Sequence, residues 1–570
     1  MDNSVLEPLK YYESQGKQTH ADNIEAHLKQ LIEKSGVDVD ANSQTIKKWK
    51  KEQDEIFKLS KIIKKFKLFR TLLILAIIIG SITALVSIAY FSQDVITALI
   101  LLAIGIVFIV VPIIVIVKKI KPVIKGTEKV KQQHVEESKK LENEGWGQMQ
   151  SLNDLFTDED AVNLIEKTLP EFTFDKNFSV EQEKLFIDKY DFRDLQTEDC
   201  SMLDTLSGKF AGNPFLFGRR KIHQLGSHTY HGSLVISWTE TYRDSNGQLR
   251  TRRRTQTLHA SVVKPKPFYS TNTFLAFGNQ AAPNLAFSRK TAHTDDLSER
   301  ALERKIKKGE KKLQKQAKQA IKKGGNFQEM ANTEFDVLFG ATNRNNEVEF
   351  RLMYTPLGQR NTVDILKDKN NYGDDFDFIK QGKCNLVFSD HAQNWKMHLV
   401  ADDYKHFDYE EIKSRFTEKN QNYFKSIFFD FAPFLCVPAY LEEPCVALDG
   451  DESYNANYTY YEHEVMANAF NYNLFVHEDS WTDAILKTNV IHTETGKDLV
   501  SVTANSYTGI NRVDYIPVLG GDGHFHSVPV PWVEYIPINK TTNVLINSEN
   551  TPSDRPSIFY HGMNAEILNN

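Results

Sequence analysis

Two uncharged apolar runs, residues 71–91 and 95–117, stand back to back near the N-terminus, separated only by Ser92, Gln93 and Asp94. Each is long enough for a helix to cross a hydrocarbon core of about 30 Å at roughly 1.5 Å per residue. So short a connection forces the second helix to return antiparallel to the first and leaves both outer flanks on one side. Both flanks are basic: Lys58, Lys61, Lys64, Lys65, Lys67 and Arg70 precede the first run, and Lys118, Lys119, Lys121 and Lys125 follow the second. Positive charge beside a span is retained on the cytoplasmic side. The expectation is a multi-pass protein of the cell inner membrane, with both termini and the bulk of the chain in the cytoplasm. The first run begins behind a long, mostly polar stretch and is not read as a signal peptide. Neither run holds an ionisable residue at mid-span, so the hairpin reads as an anchor rather than a pathway for polar solutes. Gly80, Ser81, Ala84 and Ser87 would let a second helix approach closely, and Pro112 would kink the second span.

Beyond the hairpin, enough chain remains in this 570-residue sequence for two or three domains. The net charge of −6 offers no whole-chain argument for nucleic acid. Cys200, Cys384, Cys436 and Cys445 lack the close spacing of a zinc knuckle or redox dithiol and suit a reducing compartment.

Helical periodicity at residues 23–34, with Gly36 as a stop, and from Ser43 onward predicts a helical arm over residues 1–70 that runs into the transmembrane hairpin at 71–117. Pro122 and Gly126 are expected to interrupt the chain before a helical stalk, 118–199, with helices near 158–169 and 180–190. After Cys200 the texture turns to short β-branched and aromatic segments, at 208–217, 232–242, 248–263, 335–339 and 347–354. Asn246-Gly247, between two such segments, is the clearest hairpin signal. A core-facing helix is expected at 409–430. The predicted organisation is an α+β cytosolic domain at 200–437 with a basic helical insert at 295–323, then an acidic and aromatic β-rich C-terminal domain at 438–546 and a loose tail at 547–570. The fold class is therefore membrane-anchored α+β: an N-terminal transmembrane helical hairpin, a helical stalk, and mostly antiparallel β-rich cytosolic domains with inserted helices.

Three segments carry a family resemblance. Leu206-Ser207-Gly208-Lys209-Phe210, Phe335-Asp336-Val337-Leu338-Phe339 and Leu352-Met353-Tyr354-Thr355-Pro356-Leu357 resemble the first strand, a central strand and the entry to the next helix of the domain of unknown function numbered 3137. That domain is carried by bacterial two-pass membrane proteins. The resemblance extends over roughly residues 65–435 and implies a membrane-tethered cytosolic domain. It brings no catalytic residue.

The most conspicuous soluble segment is the basic helix at 295–323, which starts at an Asp-Asp pair and stops at Gly324-Gly325. Leu297, Ala301, Leu302, Ile306, Leu313, Ala317 and Ile321 form a thin apolar stripe, and the rest of the circumference is basic. A helix docked on its own domain by that stripe is the plainest reading. The functional one makes Lys305, Lys308, Lys311, Lys312 and Lys315 contacts for an anionic lipid surface or another anionic partner, each lysine near such a surface being worth about 1 kcal/mol. Nucleic acid is disfavoured, because the segment has no aromatic side chain for base stacking. An acidic stretch without Lys or Arg, residues 426–486, could receive the helix.

For metal the candidates are His524 and His526, which would share one face of a strand. Neither Tyr461-Glu462-His463-Glu464 nor His477-Glu478-Asp479 has zinc-helix spacing, and no phosphate loop, dinucleotide fingerprint or nucleophile elbow occurs. Alternation places Arg250, Arg252 and Arg254 on one strand face. No catalytic or cofactor-binding residue is assigned. The expected function is a binding or scaffolding module at the inner membrane surface. The alternative is a membrane-tethered enzyme, a metal-assisted hydrolase using the C-terminal histidine and carboxylate groups. Protein partners and oligomeric state are left open.

Overall fold

A computed structural model describes residues 7–91, 94–192, 198–243, 245–442, 458–494, 497–547 and 565–568. The chain is α+β, with two long apolar helices near the N-terminus and antiparallel sheets. It divides into two compact units: residues 24–157 with 401–418, and residues 1–23 with 158–400 and 419–570.

Short helix α1 (Pro8–Tyr11) leads through a π-helical turn into α2 (Lys17–Ser35), which Gly36 ends. The helical unit is then built from α3 (Val39–Tyr90), α4 (Val95–Val115) and α5 (Lys121–Asn153). Asp38 caps α3 by accepting the Ala41 N–H, and nothing breaks the helix for 52 residues, about 78 Å at roughly 1.5 Å per residue. Asp94 likewise caps α4. Ser92 and Gln93 of the connection lie outside the described residues. Among the described residues of 71–115 most large apolar side chains point outward: Leu85 is 68% exposed and Ile96 71%. Ala98 and Ser87 are buried, and Gly80 meets Gly105 where the helices cross.

The stalk differs from expectation in two ways. Pro122 falls in the first turn of α5, behind a π-helical turn at Ile116–Ile120, and α5 continues through Gly126. The helical backbone runs unbroken from α4 through this turn into α5, with Ile120 and Lys121 both in the right-handed helical region, so Pro122 does not interrupt the chain. The stalk is also a helix pair, because α5 runs back along α3. His134 bonds Glu52 at 2.6 Å, Gln53 bonds Ser138 at 2.7 Å, and Asn42 and Thr45 meet Gln148 at 3.1 and 3.0 Å. Phe407 lies over Gly145 and edge-on to Trp49. These polar bonds alternate with buried Ile46 and Ile63 of α3 and Ile124, Leu141 and Met149 of α5.

The second unit carries helices α6 (Asp160–Thr168) and α7 (Val180–Tyr190) and strands β1 (Phe172–Phe174), β2 (Cys200–Phe210), β3 (Asn213–Arg243), β4 (Leu249–Gly278) and β5 (Ala286–Arg289). Four helices follow: α8 (Glu299–Lys323), α9 (Thr333–Phe339), α10 (Glu347–Met353) and α11 (Pro356–Lys367). Then come β6 (Phe376–Gln381), β7 (Cys384–Ser389), α12 (Tyr409–Leu435, of which residues from 419 onward belong to this unit), α13 (Ala439–Glu442), α14 (Tyr460–Ala469), β8 (Ile485–Glu494), β9 (Lys497–Leu519), β10 (Phe525–Asn547) and β11 (Ala565–Leu568). One sheet has the order β1-β2-β3-β4-β7-β6-β5 and the other β11-β10-β9-β8, with every pairing antiparallel. Phe431 sits among Phe172, Phe210, Phe215 and Phe217. A second core cluster draws on both sides of position 437, with Phe186, Met202 and Leu216 beside Tyr461, Leu486 and Val500.

Several strand expectations change. Residues 208–217 are strand as expected except at Ala211 and Gly212, both at positive φ, which turn the end of β2 back into the start of β3. Residues 335–339 and 347–354 form helices α9 and α10. Asn332 and Asn346 cap them, and Phe335, Leu338 and Phe339 fall on one buried helical face. The central-strand reading of Phe335–Phe339 is thereby corrected. The tail is not wholly loose, since β11 pairs with β10.

The Asn246-Gly247 hairpin is present, and its arms are far longer than the short segments suggested. β3 and β4 pair continuously from Phe215–Phe277 to Arg243–Leu249, about 100 Å at roughly 3.3 Å per residue. β2 flanks β3 only through Ile222, and β7 flanks β4 only from Leu275. Beyond those points the pair is a two-stranded ribbon, which alone would be marginal in water. The β9–β10 ribbon covers one of its faces, burying Ile236, Leu258 and Val528 against Leu234, Trp238 and Val518. Gly232 permits the approach, because a methyl there would sit 2.0 Å from the Pro529 carbonyl oxygen.

Candidate functional site

α8 begins at Glu299 behind Ser298, three residues after the Asp-Asp pair expected to start it, and ends at Gly324 in the left-handed conformation. Asp295 instead accepts the Asp374 N–H at 3.3 Å. The helix is fastened on one side: Gly309 abuts Val337 of α9, Leu313 is buried, Thr333 donates to Glu310 at 2.8 Å, and Gln316 donates to the Thr342 carbonyl at 3.0 Å. The apolar stripe thus does dock the helix on its own domain, but not to its end, for Ile321 is 75% exposed.

This docking sorts the five singled-out lysines. Lys305 turns inward, donates to the Ala292 carbonyl at 3.1 Å, and burial lowers its pKa. Lys308, Lys311, Lys312 and Lys315 are exposed. They recur at helical three- and four-residue steps and continue into Lys318 and Lys322, giving one solvent-facing basic strip. Lys311, Lys315, Lys318 and Lys322 line a shallow groove with Gln314 and Gln319. Such a strip can do electrostatic work on an extended anionic surface.

Within the chain, the described part of the acidic stretch does not receive it. Among the described residues, none of the α8 lysines forms an ion pair with that segment. Its acids are engaged elsewhere: Glu464 with Lys487 at 2.8 Å, Asp483 with Lys221 at 3.9 Å, and Asp430 with His391 at 3.5 Å. Glu443, Asp449, Asp451 and Glu452 lie outside the described residues.

The two candidate metal histidines have different surroundings. His524 is exposed in the turn before β10, where its N–H donates to Asp522. His526, in β10, places Nε2 at 2.9 and 3.1 Å from the two Asp522 carboxylate oxygens, and this bond holds the Asp522 carboxyl below its usual range. Among the described residues no three His, Cys, Asp or Glu side chains converge as a metal site would need. Arg252 and Arg254, with Glu240 at 3.0 and 2.7 Å, form an exposed ion-pair ladder on the β3–β4 ribbon.

Sequence reading missed the deeply buried ionisable groups, because their partners lie far away along the chain. Glu462 accepts the Phe178 N–H and the Thr205 hydroxyl at 3.0 and 2.9 Å, and burial pushes its carboxyl up to about 7 against those two bonds. Lys380 spends its donors on the Ala281 and Gly382 carbonyls and on Asn385, and burial pulls it down to about 7. Arg289 is paired with Asp374 in the interior. It also missed a polar cleft of about 480 Å³ at the root of the ribbons, lined by Asp199, His223, Asn505, Tyr507 and Asn539. There His223 Nδ1 lies 3.1 Å from Asp199, and the ring sits between Tyr269 and Tyr507.

Compared with known protein families, curated proteins and solved structures, the chain matches none of them.

Proposed function

We propose that the chain is a two-pass inner-membrane protein whose α+β region acts as a binding or scaffolding module at the cytoplasmic membrane surface. The observation that carries this reading is the outward-facing apolar surface of 71–115. A soluble protein would leave that surface in water, at a cost of about 25 cal/mol for each Å² of apolar area. The lysines flanking both helices favour an orientation with the remainder of the chain cytoplasmic. The basic strip of α8 supplies the binding element, with anionic lipid as the favoured partner: Lys308, Lys311, Lys312 and Lys315 are exposed, and Ile321 at the helix end is free to enter an interface.

The test uses the full chain in nanodiscs, with an environment-sensitive fluorophore on Ile321→Cys. A blue shift on anionic discs is expected, absent on neutral discs and lost when Lys308, Lys311, Lys312 and Lys315 are changed to Gln. Identical spectra on both lipids would send the search to protein partners. Reporter fusions to the two ends of the chain test the topology; a periplasmic end would overturn it.

A further inference from the structure

The two ribbons present four long strand edges, and three of them carry proline. β4 has Pro265 and Pro267, β9 has Pro517, and β10 has Pro529, Pro531 and Pro537. Proline has no N–H to offer a neighbouring strand, and it is a common way to blunt an exposed edge. β3 is the exception along its ribbon stretch, its one proline, Pro214, lying within the β2 ladder. The β2 ladder ends when the His223 N–H donates to the Asp199 carbonyl, and from Gln224 to Arg243 no described strand pairs with the outer edge of β3. That stretch contains no proline, and apart from His228 and His231 its only acidic or basic side chains are Glu240 and Arg243.

Its side chains are equally permissive. Thr229, His231, Ser233, Val235 and Ser237 point away from the covering ribbon and are exposed, Val235 at 65%. Their cross-strand partners on β4 continue the same surface with Val263, Ser261, His259, Thr257 and Thr255. An edge that is long, free of proline and nearly uncharged is a template for strand addition.

We infer that this edge pairs with β3 of a second copy of the chain, antiparallel about a two-fold axis at Ser233. An isologous contact requires the segment to complement itself. With the axis at Ser233 the overlap runs from Gln224 to Tyr242 and sets Thr229 opposite Ser237, His231 opposite Val235 and Ser227 opposite Thr239. Glu240 then faces Gly226, so no like charges oppose each other, and two polar Thr–Ser pairs match. Joining the β3 edges makes one sheet run through both copies and leaves the proline-blunted edges outside. The contact is independent of the membrane reading.

The full chain in detergent is expected to show twice its 65.4 kDa protein mass by light scattering. Ser233→Cys should crosslink copy to copy through a short bis-maleimide, whereas Thr257→Cys on β4 should not. Thr229→Lys with Ser237→Lys sets lysine against lysine twice across the axis and should halve the mass. Thr229→Glu with Ser237→Lys sets opposite charges together and should restore the dimer, which separates the pairing from a folding defect. A monomeric wild type overturns the inference. So does a dimer whose mass ignores both charge variants, or a Ser233→Cys crosslink that joins only residues of one chain.

Discussion

Gly80 and Gly105 face each other across the antiparallel crossing of α3 and α4, so closely that a methyl on either would sit 2.9 Å from the other's carbonyl oxygen. Ala84 closes the same contact from the side of α3. Backbone approach of this kind lets apolar helices gain van der Waals contact along their crossing. Gly80→Leu should therefore separate the helices and destabilise the hairpin by about 1–3 kcal/mol, the usual range for overpacking. Gly126→Ala in α5, where nothing lies within 4 Å, should instead be neutral or stabilising by up to about 1 kcal/mol. Unfolding of both variants in detergent distinguishes a packing contact from a general intolerance of substitution.

Glu462 makes stability depend on pH. Its carboxyl titrates near 7 when folded and near 4.5 when not, so between those values the folded state holds a proton that the unfolded chain has released. Its contribution is full below about 4.5 and is lost as pH rises through about 7. Glu462→Gln, which cannot ionise, should flatten the melting temperature across that interval relative to wild type. Parallel slopes for the two proteins would show that another group governs the dependence.

The two faces of α8 should respond oppositely to mutation. Changing Lys308, Lys311, Lys312 and Lys315 to Gln touches only exposed side chains and should move stability by no more than about 0.5 kcal/mol per site. Gly309→Leu drives a side chain into Val337, 2.4 Å from where its Cβ would lie, and should cost about 1–3 kcal/mol. Chemical denaturation of both variants tests whether the basic strip is available for binding without a structural duty.

Arg289 and Asp374 are both fully buried, and Asp374 also accepts from the Thr294 N–H and hydroxyl at 3.1 and 3.0 Å. Arg289→Met should cost about 3–5 kcal/mol, because it leaves the Asp374 charge uncompensated in the interior. Adding Asp374→Asn should recover part of that loss. A double variant no better than the single one would show that the guanidinium acts mainly by packing against Phe376, 4.3 Å away.

The parts of this protein legible in the sequence are those whose physics is local. Uninterrupted apolar runs and their charged flanks define the helical hairpin, and small residues at Gly80 and Ala84 mark where it closes. The start of α7 follows from the Ser179 cap and the end of α8 from the left-handed Gly324, and Asn246-Gly247 marks a turn by its own backbone preference. Tertiary structure decided the rest. Phe335–Phe339 suits a strand by composition, yet Asn332 caps it and three of its side chains share one buried helical face. β4 runs through Pro265 and Pro267, which local rules treat as breaks, because an edge strand can spare those N–H groups. Lys305 and Lys308 look alike in the chain, but one reaches a backbone carbonyl and the other water. Glu462 carries a shifted carboxyl only because Phe178 and Thr205, far away in sequence, close over it. Propensity and charge act within a few residues, whereas register, burial and ionisation depend on contacts that exist only once distant segments have met.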